Sequence, residues 1–238
     1  MMLKGIIKIS GNIKAVSGIS IGGSTAALET NVFENDIIKT SNGVPYISGN
    51  SLKGKMRDML AKIEGSVDEE SDFNSYKYIS EIFGSPEEFK NGNIIGAKLH
   101  VKDAFANAIL ENGVKRYNGK SFMLAKTDYS FTEMKTENAT DRNSKKSMPR
   151  NNIRTFSEVI FPFQMKYKIF EEDINPAIKH IKAALKFLQD DYIGGNGSRG
   201  YGQIEFQNVQ VHKHLINEFE FDKTGELINQ DLLKETIE

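Results

Sequence analysis

The hydrophobic pattern of this 238-residue chain predicts an α+β fold of ferredoxin-like topology that carries a large insertion. Three observations predict it. A long opening segment alternates apolar and polar residues with period two, and a segment with helical period follows it. After a long polar excursion, the order strand, helix, strand returns. Between that last helix and strand runs Gly194-Gly195-Asn196-Gly197-Ser198-Arg199-Gly200-Tyr201-Gly202, with five glycines in nine residues.

In the opening segment Leu3, Gly5, Ile7, Ile9, Gly11, Ile13 and Ala15 share one parity, and Lys4, Lys8, Ser10, Asn12 and Lys14 the other. This describes a strand with one buried face, ending at Gly18 and Gly22-Gly23. A loop then runs through Glu34 to a turn at Pro45. Ser48-Gly49-Asn50-Ser51 offers side-chain oxygens to cap a helix whose apolar stripe is Leu52, Met56, Met59, Leu60 and Ile63. Lys53, Lys55 and Arg57 sit in its first turns, where exposed cations oppose the helix dipole at a cost of about 0.3–1 kcal/mol each. A nearby phosphate would offset that cost, because free N–H groups and lysines would then point at one anion.

An acidic turn, Asp68 to Asp72, precedes a strand in which Ala97, Leu99 and Val101 alternate with Lys98, His100 and Lys102. Residues 106–155 are polar and irregular, with weak strand signals at 121–125 and 128–134. Phe161, Phe163, Met165, Tyr167 and Ile169 then alternate again, and Pro162 on the opposite parity marks an edge or an entry point. Asn175 as N-cap and Pro176 at the first helical position open a helix carrying Ile178, Ile181, Leu185 and Leu188 and ending near Asp191. After the glycine run, Ile204 and Phe206 begin a strand that changes phase to Val209 and Val211, as a bulge near Asn208 would produce.

The glycine run is the chemical signal. Glycine reaches φ > 0 without steric cost and lets a phosphate approach the main chain. Arg199 can grip phosphate oxygens in a fork, and Tyr201 is expected to offer its face to a base. The order helix, loop, strand is the reverse of a nucleotide-binding phosphate loop, and the Lys-Ser/Thr ending is missing. A polynucleotide fits better than a free nucleotide.

Composition narrows the classes further. With no cysteine, disulfides, thiolate zinc sites and a cysteine nucleophile are excluded, and the four histidines lack metal-motif spacing. His212 and His214 share one face of a strand as a surface pair. The net charge is −1, yet residues 141–154 hold five basic side chains against one acid, and residues 218–238 hold seven acids against two lysines. A basic stretch and an acidic tail on a neutral chain suit a ribonucleoprotein subunit that meets a nucleic-acid backbone on one side and proteins on another. No apolar run approaches the ~18 residues of a membrane span. Without a membrane or signal segment, the expected location is the cytoplasm.

Three segments then coincide: Gly18-Ile19-Ser20-Ile21-Gly22-Gly23-Ser24, Ser51-Leu52-Lys53-Gly54-Lys55-Met56-Arg57, and the late glycine run. Together they resemble the RAMP superfamily of CRISPR proteins and, more narrowly, the backbone subunits of type III-A (Csm) effector complexes. Thr132 to Asn138, Asp141-Arg142 and Pro149-Arg150 resemble the thumb of such subunits. The resemblance implies an RRM-like palm at about 1–105 and 156–215, a thumb-like insertion at about 106–155 and an acidic C-terminal segment at 216–238. Its implied partners are a guide crRNA, a target RNA, further copies of the chain and other subunits of the complex. The thumb would pry the guide-target duplex at a regular interval, with Phe131, Met134 or Met148 as the apolar wedge.

The RNA-binding residues so implied are Ser20, Gly22, Gly23, Ser51, Lys53, Lys55, Arg57, Glu133, Glu137, Arg142, Arg150, Gly195, Asn196, Gly197, Ser198, Arg199, Gly200 and Tyr201. Family members that cut target RNA carry an aspartate in the loop after the IGGS segment, and ungapped counting reaches Glu34 here. This is a departure, as is Ser20 where relatives commonly have histidine. Glu34 is the implied catalytic residue and the implied ligand of a divalent metal ion, Mg2+, with Asp36 as a substitute two residues on. Its carboxylate stands one methylene further out, and a misplacement of about 1 Å can cost on the order of a hundredfold in rate. Two other readings are a scaffold that binds RNA without cutting and a stand-alone RAMP endoribonuclease that trims guide precursors. Enzymes of the latter kind usually carry a histidine near the first helix, and here no histidine precedes His100.

Overall fold

β1 (Gly5–Ala15) realises the opening alternation: Ile7, Ile9, Ile13 and Ala15 are buried, and the even-numbered residues face the other way. The computed structural model describes residues 3–22, 37–64, 77–84, 96–107, 109–111, 114–117, 120–121, 131–140, 147–170, 174–215 and 226–229. After β1 come β2 (Tyr46–Ile47), α1 (Gly49–Glu64), α2 (Lys77–Phe83), β3 (Leu99–Val101) and β4 (Ala104–Phe105). The insertion holds β5 (Ile109–Glu111), β6 (Val114–Tyr117), β7 (Lys120–Ser121), β8 (Thr132–Thr140) and β9 (Ser147–Thr155). β10 (Ile160–Ile169), α3 (Asn175–Asp190), β11 (Ile204–Leu215) and β12 (Glu226–Asn229) complete the chain.

The central sheet has the order β12-β11-β1-β10-β3, antiparallel at every step. Taking β1, β3, β10 and β11 as the four principal strands, that is the 4-1-3-2 order of a ferredoxin-like sheet, as the sequence predicts. α1 and α3 pack together on its apolar face. There Leu52, Met56 and Leu60 of α1 and Ile181, Ala184, Leu185 and Leu188 of α3 are buried with Ile7, Ile9, Phe161 and Met165. Each large aliphatic side chain so buried contributes about 1.5–3 kcal/mol relative to exposure.

Local chemistry explains the element boundaries. Ser48 Oγ accepts from Ser51 N at 3.1 Å and caps α1. The register of β1 against β11 shifts between Ser10 and Asn12, and Asn208 at φ 52° is the bulge that the change of phase predicts. Pro162 lies on the solvent side of β10, beyond the three residues that β3 pairs. The carbonyls of Gln164 and Ile160 point to the β3 and β4 side, where they accept from Lys102 N and Asn107 N. By alternation, the missing N–H of Pro162 falls on that same side and breaks no bond to β1.

Three expectations need correction. Ile63 is 43% exposed and lies outside the α1 stripe, because the helix has already run past the core there. The N-cap of α3 is Ile174, without a side-chain cap bond, so Asn175 is the first helical residue and Pro176 alone supplies the start signal. α2 and β12 are short elements that the sequence reading did not anticipate: α2 buries Ile79, Ile82 and Phe83 in the core, and β12 pairs with the outer side of β11.

Candidate nucleic-acid interface

The strand-like strap Gly18–Ile21, just past β1, is bonded on both sides. On one side Gly195 N donates to Ser20 O at 2.7 Å and Gly202 N to Gly18 O at 3.0 Å. On the other, Thr155 N donates to Ile19 O at 2.9 Å, and Ile19 N donates to Thr155 Oγ1 at 3.0 Å. The glycine loop and the base of the β8–β9 hairpin, each more than a hundred residues from the strap in sequence, are thereby fixed to one short piece of backbone.

Within the loop, Gly202 sits at φ +73°, where an added Cβ would stand 2.1 Å from Ile193 O. Only glycine fits there. Residues Gly197–Arg199 form one turn of 3-10 helix, preceded by Asn196 at φ 60°. The N–H groups of Gly195, Arg199, Gly200 and Gly202 are consumed by internal bonds. Those of Gly194, Asn196, Gly197, Ser198 and Tyr201 stand outside that set; Tyr201 is buried, so what the loop offers an anion is chiefly the consecutive amides of 196–198 and not the whole run. Gly195, Ser198, Arg199 and Gly200 form the exposed tip.

β8 turns one face to this loop. Glu133, Lys135 and Glu137 share a parity and oppose Arg154, Asn152 and Arg150 on β9. Lys135 Nζ donates to Arg199 O at 3.0 Å and lies 3.2 Å from Glu137 Oε1, while Arg199 Nη1 donates to Glu137 Oε2 at 3.3 Å. Arg154 grips Glu133 Oε1 through Nε and Nη2, both at 2.8 Å. Tyr201 lies between these cations, with Lys135 Nζ 4.3 Å and Arg154 Cζ 5.0 Å from its ring centroid.

Tyr201 is 0% exposed, which corrects the expectation that its ring stacks on a base. It is the cation-lined plug under the loop. Burial pushes the Glu137 carboxyl up, but the Tyr201 hydroxyl, Lys135 and Arg199 outweigh this and hold it below its ordinary value. Burial and then Glu137 raise the Tyr201 phenol. Neither the Tyr201 hydroxyl nor Glu137 Oε1 completes a well-aligned hydrogen bond.

The three cations of α1, expected to point at one anion, are divided. Lys55 turns to the glycine loop, with Nζ 2.7 Å from Asp191 Oδ2 and 4.3 Å from the centroid of the Tyr192 ring. Arg57 Nη2 donates to Phe83 O, the last residue of α2, at 3.3 Å. Lys53 is partly buried; burial and then Arg57 lower its pKa, and it in turn lowers His100 of β3. Ser51 is occupied in the cap, its Oγ 2.7 Å from Ser48 Oγ.

Ser20 is buried and uses its carbonyl, whereas Gly22 has room for a Cβ among the described residues. Arg150 is exposed on β9. Gly23, Glu34, Asp36 and Arg142 lie outside the described residues. Of the three wedge candidates, Phe131 is in the core at 8% exposure, Met134 stands out at 57%, and the Met148 side chain lies outside the described set. Lys135 and Arg154 were missed as site residues, although the shared parity of Glu133, Lys135 and Glu137 was there to be read. Among the described residues no three His, Cys, Asp or Glu side chains gather as metal ligands.

The model of the RAMP superfamily matches residues 12–205 of this sequence. The chain belongs to the RAMP superfamily. Curated relatives include the protein named CRISPR system Cms endoribonuclease Csm3 of Streptococcus thermophilus, 34% identical over 86% of this chain and 89% of that protein. The protein of the same name from Methanocaldococcus jannaschii is 32% identical over 89% and 82%. Two solved structures share the fold. One, from the Csm3-Csm4 subcomplex of the type III-A CRISPR-Cas interference complex, covers 95% of this chain and 92% of its own, with a TM-score of 0.58 at 22% identity. The other, from the type III-B Cmr-beta complex bound to cognate target RNA, covers 87% and 61%, with a TM-score of 0.60 at 19% identity.

Proposed function

We propose that this RAMP chain is a guide-crRNA-binding backbone subunit of a type III-A CRISPR interference complex. It assembles with further copies of itself and other Csm subunits in the cytoplasm and cleaves complementary target RNA at regular intervals. The observation that carries the proposal is the convergence of strap, glycine loop and β8–β9 hairpin, which sets free amides and Arg199 beside a protruding hairpin. Such donors meet phosphate and ribose without reading base edges, as an arbitrary guide requires. Residues 1–105 and 156–215 are the palm, 106–155 the thumb and 216–238 an acidic appendage. The thumb turns its charged face to the loop and its opposite face, with Met134, to the duplex as a wedge.

For cleavage we assign Glu34 the task of orienting the target ribose 2'-hydroxyl and taking its proton. The 2'-oxygen bonds to the adjacent phosphorus, the bond from phosphorus to the 5'-oxygen breaks, and the leaving 5'-oxygen takes a proton from solvent water, so that one fragment ends in a 2',3'-cyclic phosphate and the other in a 5'-hydroxyl. The same assignment gives Glu34 a divalent ion, Mg2+, which when bound would neutralise developing negative charge. The test is the rate of target cleavage in assembled complex with Glu34→Ala and Glu34→Asp. Loss of cutting with Ala and its retention with Asp are expected; equal rates in all three forms would remove Glu34 from the reaction.

A further inference from the structure

The face of the central sheet turned away from α1 and α3 takes no part in the interface described above. Its side chains come from the even-numbered residues of β1, β3 and β10 and, past the Asn208 bulge, of β11. The register arranges them in rows. One row is uncharged, with Ser10 beside Gln164 and Gln210. In the next, Lys8 lies between Lys166 and His212, and Lys166 pairs in turn with His100. Four basic side chains thus cross four strands in a line about 14 Å long at the usual strand spacing. The row after it sets Lys168 and His214 on either side of Ile6.

Two features set this surface apart from ordinary solvated polarity. Lys8 and Lys166 are direct register partners, and like charges placed opposite each other destabilise a sheet. Neither makes an ion pair with a carboxylate among the described residues, and these two rows contain no acid from β1, β3, β10 or β11. Glu205, beside Lys14, is the acid on this face of β11, six residues along β1 from Lys8 and so roughly 20 Å away. Burial, then Lys168 and then Lys53 hold His100 below its ordinary pKa, so the fixed charge of the row comes from Lys8 and Lys166, and His100 adds a hydrogen-bonding imidazole at its β3 end. A local rule broken without internal compensation marks a surface shaped for something outside the chain.

The chemistry of the rows chooses the occupant. A protein partner needs an apolar centre to bury. Among the described residues, the exposed large hydrophobic ones, Val16, Ile63, Phe105, Met134, Phe187 and Leu215, lie elsewhere, and Ile6 on this face is half-buried. Cations flanked by uncharged hydrogen-bonding side chains, with no aromatic platform, suit a phosphate backbone and ignore its bases.

We propose that the row His100, Lys166, Lys8 and His212 is a second, sequence-independent docking surface for the phosphate backbone of single-stranded RNA. It lies apart from the glycine-loop interface: Lys8 is seven residues, roughly 23 Å, before the end of β1, and the strap begins three residues later. A strand held at the loop end has room to continue across this face, and an unrelated RNA would be held equally well.

The test uses the full chain and a labelled 30-nucleotide RNA of arbitrary sequence, titrated across salt concentrations, with a complementary-guide sequence as a second arm. Lys8→Gln/Lys166→Gln should lower the slope of log affinity against log salt by about 1.4, at about 0.7 per lost phosphate contact, and Lys166→Gln alone by about half of that. The loss should add to that of Arg199→Ala, and both RNAs should show it. A variant that melts like the parent and keeps its slope would overturn the proposal. So would a loss that disappears in the Arg199→Ala background, or preferential displacement of RNA from this face by polyglutamate over polyphosphate. Arg199→Ala alone reports on the glycine-loop interface, so failure of either surface is read separately.

Discussion

Arg199 Nη1 lies 3.3 Å from Glu137 Oε2, an ion pair across 62 residues of sequence that ties the exposed tip of the glycine loop to β8. Because Glu137 titrates below its ordinary value, its contribution is fully present above the unfolded-state pKa and is lost as pH falls through the folded one. The hairpin should therefore stay docked in mild acid and loosen only below the usual glutamate range. Hydrogen exchange of 132–140, corrected for intrinsic rate, should show that step, and Glu137→Gln should remove it. A step at the ordinary glutamate pKa would contradict the pairing.

The glycines of the site divide into structural and ligand-facing positions. An added Cβ at Gly197 would stand 2.2 Å from the Tyr192 ring, whereas at Gly22 it would meet none of the described residues within 4 Å. Gly197→Ala should cost about 1–3 kcal/mol in denaturant melts. Gly22→Ala should melt normally yet weaken RNA binding severalfold, since no described residue touches the new methyl and an approaching ligand would.

Phe131 and Met134 separate packing from wedging. Phe131→Ala, in the core, should cost about 3–5 kcal/mol. Met134→Ala, on the exposed face of β8, should change stability by less than about 0.5 kcal/mol. In assembled complex the latter should blur the regular spacing of target-RNA products. An unchanged product ladder would transfer the wedge role away from Met134.

Lys53 trades stability for charge. Burial and Arg57 lower its pKa from 10.5, so its charged form costs folding energy at neutral pH. Stability should rise with pH from the folded value up to the unfolded one, the opposite of a lysine that gains a partner. Lys53→Gln should melt higher than the parent at pH 7, with the gap closing above the unfolded value, and should bind RNA more weakly. A lower melting temperature would show that the ammonium has a stabilising partner.

How much of this was written in the sequence varies with the range of the contact. Periodicity is local, so β1, α1, α3 and even the Asn208 bulge could be read directly, and chain order alone led to the 4-1-3-2 sheet. Residue type identified the glycine loop as special. It could not show that Tyr201 faces inward, because its burial depends on Lys135 and Arg154 arriving from the insertion. For the same reason Lys53, Lys55 and Arg57 looked like one group on a helix, and only their neighbours, His100, Asp191 and Phe83, reveal three directions. The sheet-face row depends on register between strands that are distant in sequence, which no single-strand pattern contains.

The most direct test of the central claim, that loop, strap and hairpin form one RNA-binding groove indifferent to sequence, is the affinity of the full chain for two single-stranded RNAs of unrelated sequence, with and without Arg199→Glu. The account predicts equal affinity for both RNAs in the parent, and in the variant an equal loss of tenfold or more with a shallower salt dependence. Undiminished binding by a folded Arg199→Glu variant, or a loss confined to one RNA, would contradict it.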